Sequence, residues 1–285
     1  MPKPSFDDKK TVRPLINMHT HIFPSKIEEK AVAAIGQFYG IPMENKGTSE
    51  YLLEDGAKIG VTKYLVCSTA TTAHQVKSID DFVAAEVQKH PEFIGFGSLH
   101  PDFEDPAAEI DRMISLGLKG IKLHPDFQKF NIDDESAFPI YEAAEGRLPI
   151  LFHTGDDRYD FSDPRRLNRV LERFPKLIAI AAHLGGYRDW DTAKVNYGHP
   201  RVYIDTSSSL MFVPPEKAVN IIRAHGVSHV FFGTDSPMWN HVDEFARFNA
   251  LELTESERSM ILYENAVNFF DLFTQRCPSS ASVKR

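Results

Sequence analysis

Six of the twelve histidines in this 285-residue chain close short apolar runs: His19, His21, His100, His124, His153 and His183. Asp235 closes another, Val230-Phe231-Phe232-Gly233-Thr234. Histidines scattered by chance would fall as often on helices and loops. His19 and His21 follow Leu15-Ile16-Asn17-Met18. Residues two apart on a strand share a face and stand about 6.6 Å apart along it. Two imidazoles on one rigid element can therefore grip one ion. Taken alone, the pair reads equally well as two satisfied core or loop histidines. With His153, His183 and Asp235 added, three or four imidazoles and a carboxylate can converge on one point. That donor set suits Zn²⁺ or a similar borderline divalent ion, with Mn²⁺ as the alternative metal.

Lys122 and His124 share one face of Gly120-Ile121-Lys122-Leu123-His124-Pro125. A lysine pointing into a protein interior needs a partner, because an unpaired buried ammonium is costly. Three readings stand side by side: a cation for an anionic substrate, a carbamylated bridge between two metals, or an ion pair with a carboxylate such as Asp235. Asp205, after Val202-Tyr203-Ile204, can orient a histidine through its second nitrogen, or cap a turn. His124, Arg158 and Trp239 are candidate substrate contacts, and Tyr159 and Arg188 are nearby pocket candidates. His100 reads as structural and His229 lies at a strand start. His74, His90, His199, His225 and His241 read as loop or surface residues.

The elements that must position these groups are strands near residues 14–23, 61–69, 93–101, 120–125, 149–155, 177–186, 202–208 and 229–238. Each is a short apolar run with little alternation, the signature of a strand buried on both faces. Helical stripes fill the gaps. Asp163-Pro164 opens one with Leu167, Val170, Leu171 and Phe174 on its face. Asp105-Pro106 opens another that Gly117 stops, Pro215 a third that Gly226 stops, and Ile79, Phe82 and Val83 mark a fourth ended by Pro91. Eight strands alternating with helices predict an α/β fold, a (β/α)8 TIM barrel, in which catalytic groups sit at the carboxyl ends of the strands. The rival open sheet would carry a glycine-rich phosphate loop after its first strand, where His19-Thr20-His21 stands instead. The wide first gap, Ser25 to Lys58, predicts an insertion with extra helix over one face. A single barrel domain over 14–276 is expected, with an N-terminal extension at 1–13 and a flexible tail at 277–285.

Composition excludes other classes. The chain is 42% hydrophobic and 25% charged, which rules out a disordered, collagen-like or coiled-coil protein. A formal charge of −8 argues against nucleic acid or an anionic membrane as partner. Two cysteines, Cys67 and Cys277, cannot build a disulfide framework, and no apolar run approaches bilayer length. A cytoplasmic protein acting on a small molecule is the expectation.

The ordered motifs His-X-His, Lys-X-His-Pro, His-Thr-Gly, His-Leu-Gly-Gly and Gly-Thr-Asp-Ser-Pro resemble the amidohydrolase superfamily, in its amidohydrolase-related branch of metal-dependent hydrolases and decarboxylases. The likeness runs from Asn17 to the terminal helix near Phe270. It implies that His19, His21, His153 and Asp235 bind metal, while His183 ligates a second ion or serves as acid/base. It also implies one or two ions and, by analogy, a homodimer. Related deoxyribonucleases carry a glutamate where Lys122 stands, and the decarboxylases usually lack a lysine there. The full set matches binuclear hydrolases in which that lysine is carbamylated. The first expectation is therefore a hydrolase of an ester, lactone or amide of a small carboxylic acid. Water bound to its ion would have a pKa near 7, with Asp235 as proton acceptor and His183 or Lys122 polarising the carbonyl. The alternative on the same residues is a nonoxidative decarboxylase or hydratase of small or aromatic carboxylic acids. A noncatalytic barrel that kept its metal is the third reading.

Overall fold

The computed structural model describes residues 14–276. The extension at 1–13, the tail at 277–285 and Cys277 lie outside the described residues. Eight parallel strands follow one another in the order β1 to β8: β1 Leu15–His21, β2 Val61–Cys67, β3 Phe93–Ser98, β4 Gly120–Leu123, β5 Ile150–Phe152, β6 Ala179–Ala181, β7 Val202–Asp205 and β8 Val230–Phe231. Backbone bonds from Met18 N to Phe232 O (2.8 Å), Asp235 N to His19 O (2.9 Å) and His21 N to Ser236 O (2.7 Å) join β1 to the segment after β8. The sheet is thereby a (β/α)8 TIM barrel, as the strand count predicts.

Alternation within the strands sorts side chains into two apolar layers. Tyr64, Val66, Ile121, Leu123, Ile150 and Phe152 face outward to the helices. Leu65, Cys67, Phe96, Leu151, Ile180, Tyr203 and Phe231 fill the interior, and Ala266 and Phe269 of the terminal helix pack into that same cluster. The terminal helix thus packs on the apolar interior layer, apart from the histidine-lined mouth.

The helices begin and end where local chemistry sets them. Asp105 and Asp163 each accept a backbone N–H of the following first turn, with proline next in line. Gly117 and Gly226 follow their helices with φ of 86° and 105°. The insertion after β1 holds two helices, α1 (Glu28–Tyr39) and α2 (Ser49–Ala57). The last strand is shorter than its apolar run suggests. After Phe231 the chain leaves the ladder, and Asp235 takes a left-handed φ of 61°.

Candidate active site

A register shift in β1 sets the site. Asn17 pairs with Tyr64 and Thr20 with Val66, so three steps on β1 match two on β2. One residue is therefore extra between Asn17 and Thr20, a bulge of the kind that re-aims side chains beside active sites. Ile16 and Met18 fill the barrel interior. Unbroken alternation would put Thr20 next on that face. Instead Thr20 donates its hydroxyl to Leu65 O at 2.7 Å, and His19 and His21 line the mouth.

There His21 Nε2 stands 3.1 Å and His19 Nε2 3.6 Å from Asp235 Oδ1. One donor atom from each of His19, His21 and Asp235 lies within 4.8 Å of the others, close enough for the three to share one divalent ion. His19 Nδ1 lies 3.0 Å from Asp205 Oδ2 and from Ser207 Oγ. A carboxylate behind an imidazole holds the opposite nitrogen toward a ligand. His21 Nδ1 lies 3.5 Å from Cys67 Sγ. Ser208 donates to Asp235 Oδ2 at 2.5 Å and itself accepts the Trp239 indole N–H at 2.9 Å.

The remaining imidazoles continue the cluster. His183 takes a left-handed φ of 63°, with Nδ1 against Ser207 O at 3.1 Å and Nε2 against His153 Nδ1 at 3.0 Å. Such φ values cost on the order of 1–3 kcal/mol and gather at functional sites. His153 meets the trio through His183, and its Nε2 is buried with no hydrogen-bond partner among the described residues. Asp126 Oδ2 lies 3.7 Å from that nitrogen. Lys122, fully buried, places Nζ 3.3 Å from His19 Nε2. His124 stacks on His153, centroids 4.0 Å apart.

Burial dominates the electrostatics. It drops His19 to about 4, helped by Lys122, and pulls His183, His153 and Lys122 below their ordinary values. His21 moves the other way: burial opposes its charge, but Cys67 and the Asp235 carboxylate raise it to about 9. Asp235 is held well below the carboxylate range, because His19, His21 and His183 outweigh the burial penalty. Burial raises Asp126 to about 7.

These groups floor a cavity of 720 Å³. Its roof is α1, which no motif predicts to be part of the site. Tyr39 sets its hydroxyl 2.9 Å from His124 Nε2. Arg158 and Trp239 do not line the cavity. Arg158 donates to Asp156 at 2.6 Å and to Phe38 O at 2.5 Å, with its guanidinium 4.6 Å from the Phe38 ring. It fastens the roof, while Trp239 reaches Asp235 through Ser208. Tyr159 and Arg188 lie outside the lining too. His241 is fully buried rather than on the surface, bridging Asp55 Oδ2 (2.7 Å) and Asn17 Nδ2 (3.0 Å). His225 is buried as well. Asp126, directly after His124-Pro125, is the one missed group with a sequence signal, a carboxylate at a strand end.

A parallel eight-stranded barrel with imidazoles and carboxylates gathered at its carboxyl mouth is the plan of barrel enzymes. The chain belongs to the amidohydrolase family: the Amidohydro_2 family model, described as amidohydrolase, matches residues 16–272. It is 27% identical over 235 residues to a Dictyostelium discoideum protein named 2-amino-3-carboxymuconate-6-semialdehyde decarboxylase. That match covers 68% of this chain and 66% of the relative, a little under two thirds of the latter. Among solved structures, an uncharacterised TIM-barrel protein of Bordetella bronchiseptica superposes with a TM-score of 0.75 at 18% identity, covering 91% of this chain and 99% of that one. A dihydroxybenzoic acid decarboxylase of Polaromonas sp. JS666, with bound manganese and 2-nitroresorcinol, gives 0.69 at 16% identity, covering 91% and 97%. At such identities these structures speak for the fold.

Proposed function

We propose that this chain is a metal-dependent, nonoxidative decarboxylase of small or aromatic carboxylic acids. The observation that carries this over hydrolysis is the character of its relatives: the Dictyostelium protein and the manganese-bound Polaromonas protein are both named decarboxylases. His19, His21 and Asp235 would hold the divalent ion, with His153 offering a further nitrogen. When bound, the ion supplies a Lewis acid for the substrate's oxygens.

The chain's own groups do the rest. Asp205 accepts the His19 Nδ1 proton and keeps Nε2 facing inward. Lys122 offers a buried cation on the cavity floor to the departing carboxylate. His183, protonated in the substrate complex beside the bound carboxylate, gives its Nε2 proton to the carbon that loses the carboxyl group, and the burial that lowers its pKa makes that imidazolium a readier acid. The C–C bond breaks, its electron pair stays on that carbon, the proton from Nε2 bonds there, and CO₂ leaves. The aromatic roof of Phe38 and Tyr39, with Phe127 packed edge-on against Phe38 at 4.6 Å, would exclude water and suit a planar ring.

The test is product analysis on protein loaded with Mn²⁺ or Zn²⁺, across a panel of aromatic acids and lactones. Release of CO₂ or bicarbonate with the decarboxylated ring as co-product is expected. Hydrolysis of an ester, lactone or amide without CO₂ release would overturn the reading.

A further inference from the structure

The cavity is larger than its polar floor requires. An apolar cavity of about 150 Å³ suffices to take a benzene ring. At 720 Å³, this one leaves most of its space unclaimed by a single-ring acid. The excess is apolar and has a direction. Along α1 and the residue before it, Ile27, Ala31, Ala34, Ile35 and Phe38 all line the cavity. They recur at i, i+4, i+7, i+8 and i+11, one continuous helical stripe. Val32 and Gly36, on the other side of α1, are the buried positions that seat the helix on the protein. Eleven residues at 1.5 Å rise give the stripe a length of about 16 Å.

A second stripe meets it. Ile79 and Phe82, from the first half of helix Val76–Lys89, line the same cavity. Ile27 is 53% exposed and Ala34 is exposed as well. The two helices thus face each other across a gap that the described residues do not fill, continuous with the floor of His19, His21 and Asp235.

We propose that the substrate is a carboxylic acid with an extended apolar body, a second ring or a straight alkyl chain, which runs from the polar floor under α1 and out between α1 and helix 76–89. This rests on the reading that the site decarboxylates an acid. The carboxylate end belongs on the floor, where Lys122 and the imidazoles lie; the body belongs against the stripes, where the lining is mainly carbon and Lys30, Gln75 and Ser78 are the polar residues that the two helices add. A body that fills the groove gains about fourfold in affinity per methylene, the equivalent of about 0.8 kcal/mol per buried CH₂.

The experiment uses the Mn²⁺-loaded protein and 2-hydroxybenzoates carrying straight 5-alkyl chains from methyl to octyl, with binding measured by calorimetry and CO₂ release followed separately. Affinity is expected to climb about threefold to fivefold per added methylene and then level off. A34W, on an exposed helical position and so compatible with folding, is expected to cut the octyl-to-methyl affinity ratio at least tenfold. Affinity that stays flat or falls with chain length overturns the proposal, whatever the variant does. Rising affinity without CO₂ from any acid keeps the groove and removes the decarboxylase reading. CO₂ from short acids with no effect of length keeps the decarboxylase and removes the groove.

Discussion

Replacing Asp205 by Asn tests the metal site at the group that orients it. Asp205 Oδ1 accepts the backbone N–H groups of His183 (3.3 Å) and Ser207 (3.0 Å), while Oδ2 faces His19 Nδ1 at 3.0 Å. An Asn side chain is nearly the same shape but has one acceptor end and one donor end. Turning its NH₂ toward the two backbone donors would leave buried N–H groups unpaired, at about 1–3 kcal/mol each. The amide oxygen therefore stays with the backbone and the NH₂ faces His19 Nδ1. That nitrogen must then be the acceptor, which moves the ring proton to Nε2, the atom directed at Asp235 and the would-be ion. Loss of such an orienting carboxylate typically weakens metal binding 10- to 100-fold, or about 1.4–2.7 kcal/mol. The assay is chelator competition for Mn²⁺ at neutral pH on D205N and parent, with circular dichroism to confirm equal folding. An affinity within threefold of the parent in a folded variant would refute both the tautomer argument and the placement of the ion at His19.

Three further substitutions probe other links. His183→Asn suits the left-handed backbone there, since Asn tolerates positive φ; it should leave Mn²⁺ affinity within a few-fold while CO₂ release drops about 10²–10⁴-fold, and retained turnover would reduce His183 to a structural role. Gly155 has φ of +72°, and an added Cβ would sit 2.7 Å from the Gly186 backbone. G155A should therefore cost more than about 1 kcal/mol, lowering Tm by about 2 °C or more, and an unchanged melting curve contradicts this. His225 lies buried with Nε2 against Val202 O at 3.0 Å and Nδ1 without a partner among the described residues, and burial lowers its pKa to about 4. Because the folded value lies below the unfolded 6.5, its neutral ring favours the fold fully above that pH. This contribution fades between pH 6.5 and pH 4, by up to about 3 kcal/mol. Urea titrations of H225Q should show a shallower acid loss than the parent; parallel curves would rule this out.

Much of the architecture was legible because a doubly buried strand must be apolar until it ends. The run Ile178 to Ala182 can sit nowhere but between neighbours, and His183 is the first position where the chain meets a solvent-facing mouth. Asp105, Asp163 and the glycines after their helices are equally local signals. Arg158 and Trp239 were misleading for the opposite reason. Each follows a strand end closely enough to suggest a pocket, yet each is captured by a neighbour: Arg158 by Asp156 and the Phe38 ring, Trp239 by Ser208.

The order of elements, the barrel and the residue types at its mouth follow from the sequence alone, since periodicity and caps act over a few residues. Which atoms face one another was decided by the tertiary structure. The bulge that turns His19 and His21 inward is a mismatch of β1 against β2, and the roof of Tyr39 over His124 joins positions 85 residues apart. The burial of His241 joins Asp55 and Asn17 to a helix near the far end of the chain, over 186 and 224 positions. Such contacts are set by strand register and by where an inserted helix comes to rest, and neither leaves a periodic trace in the residues that make them.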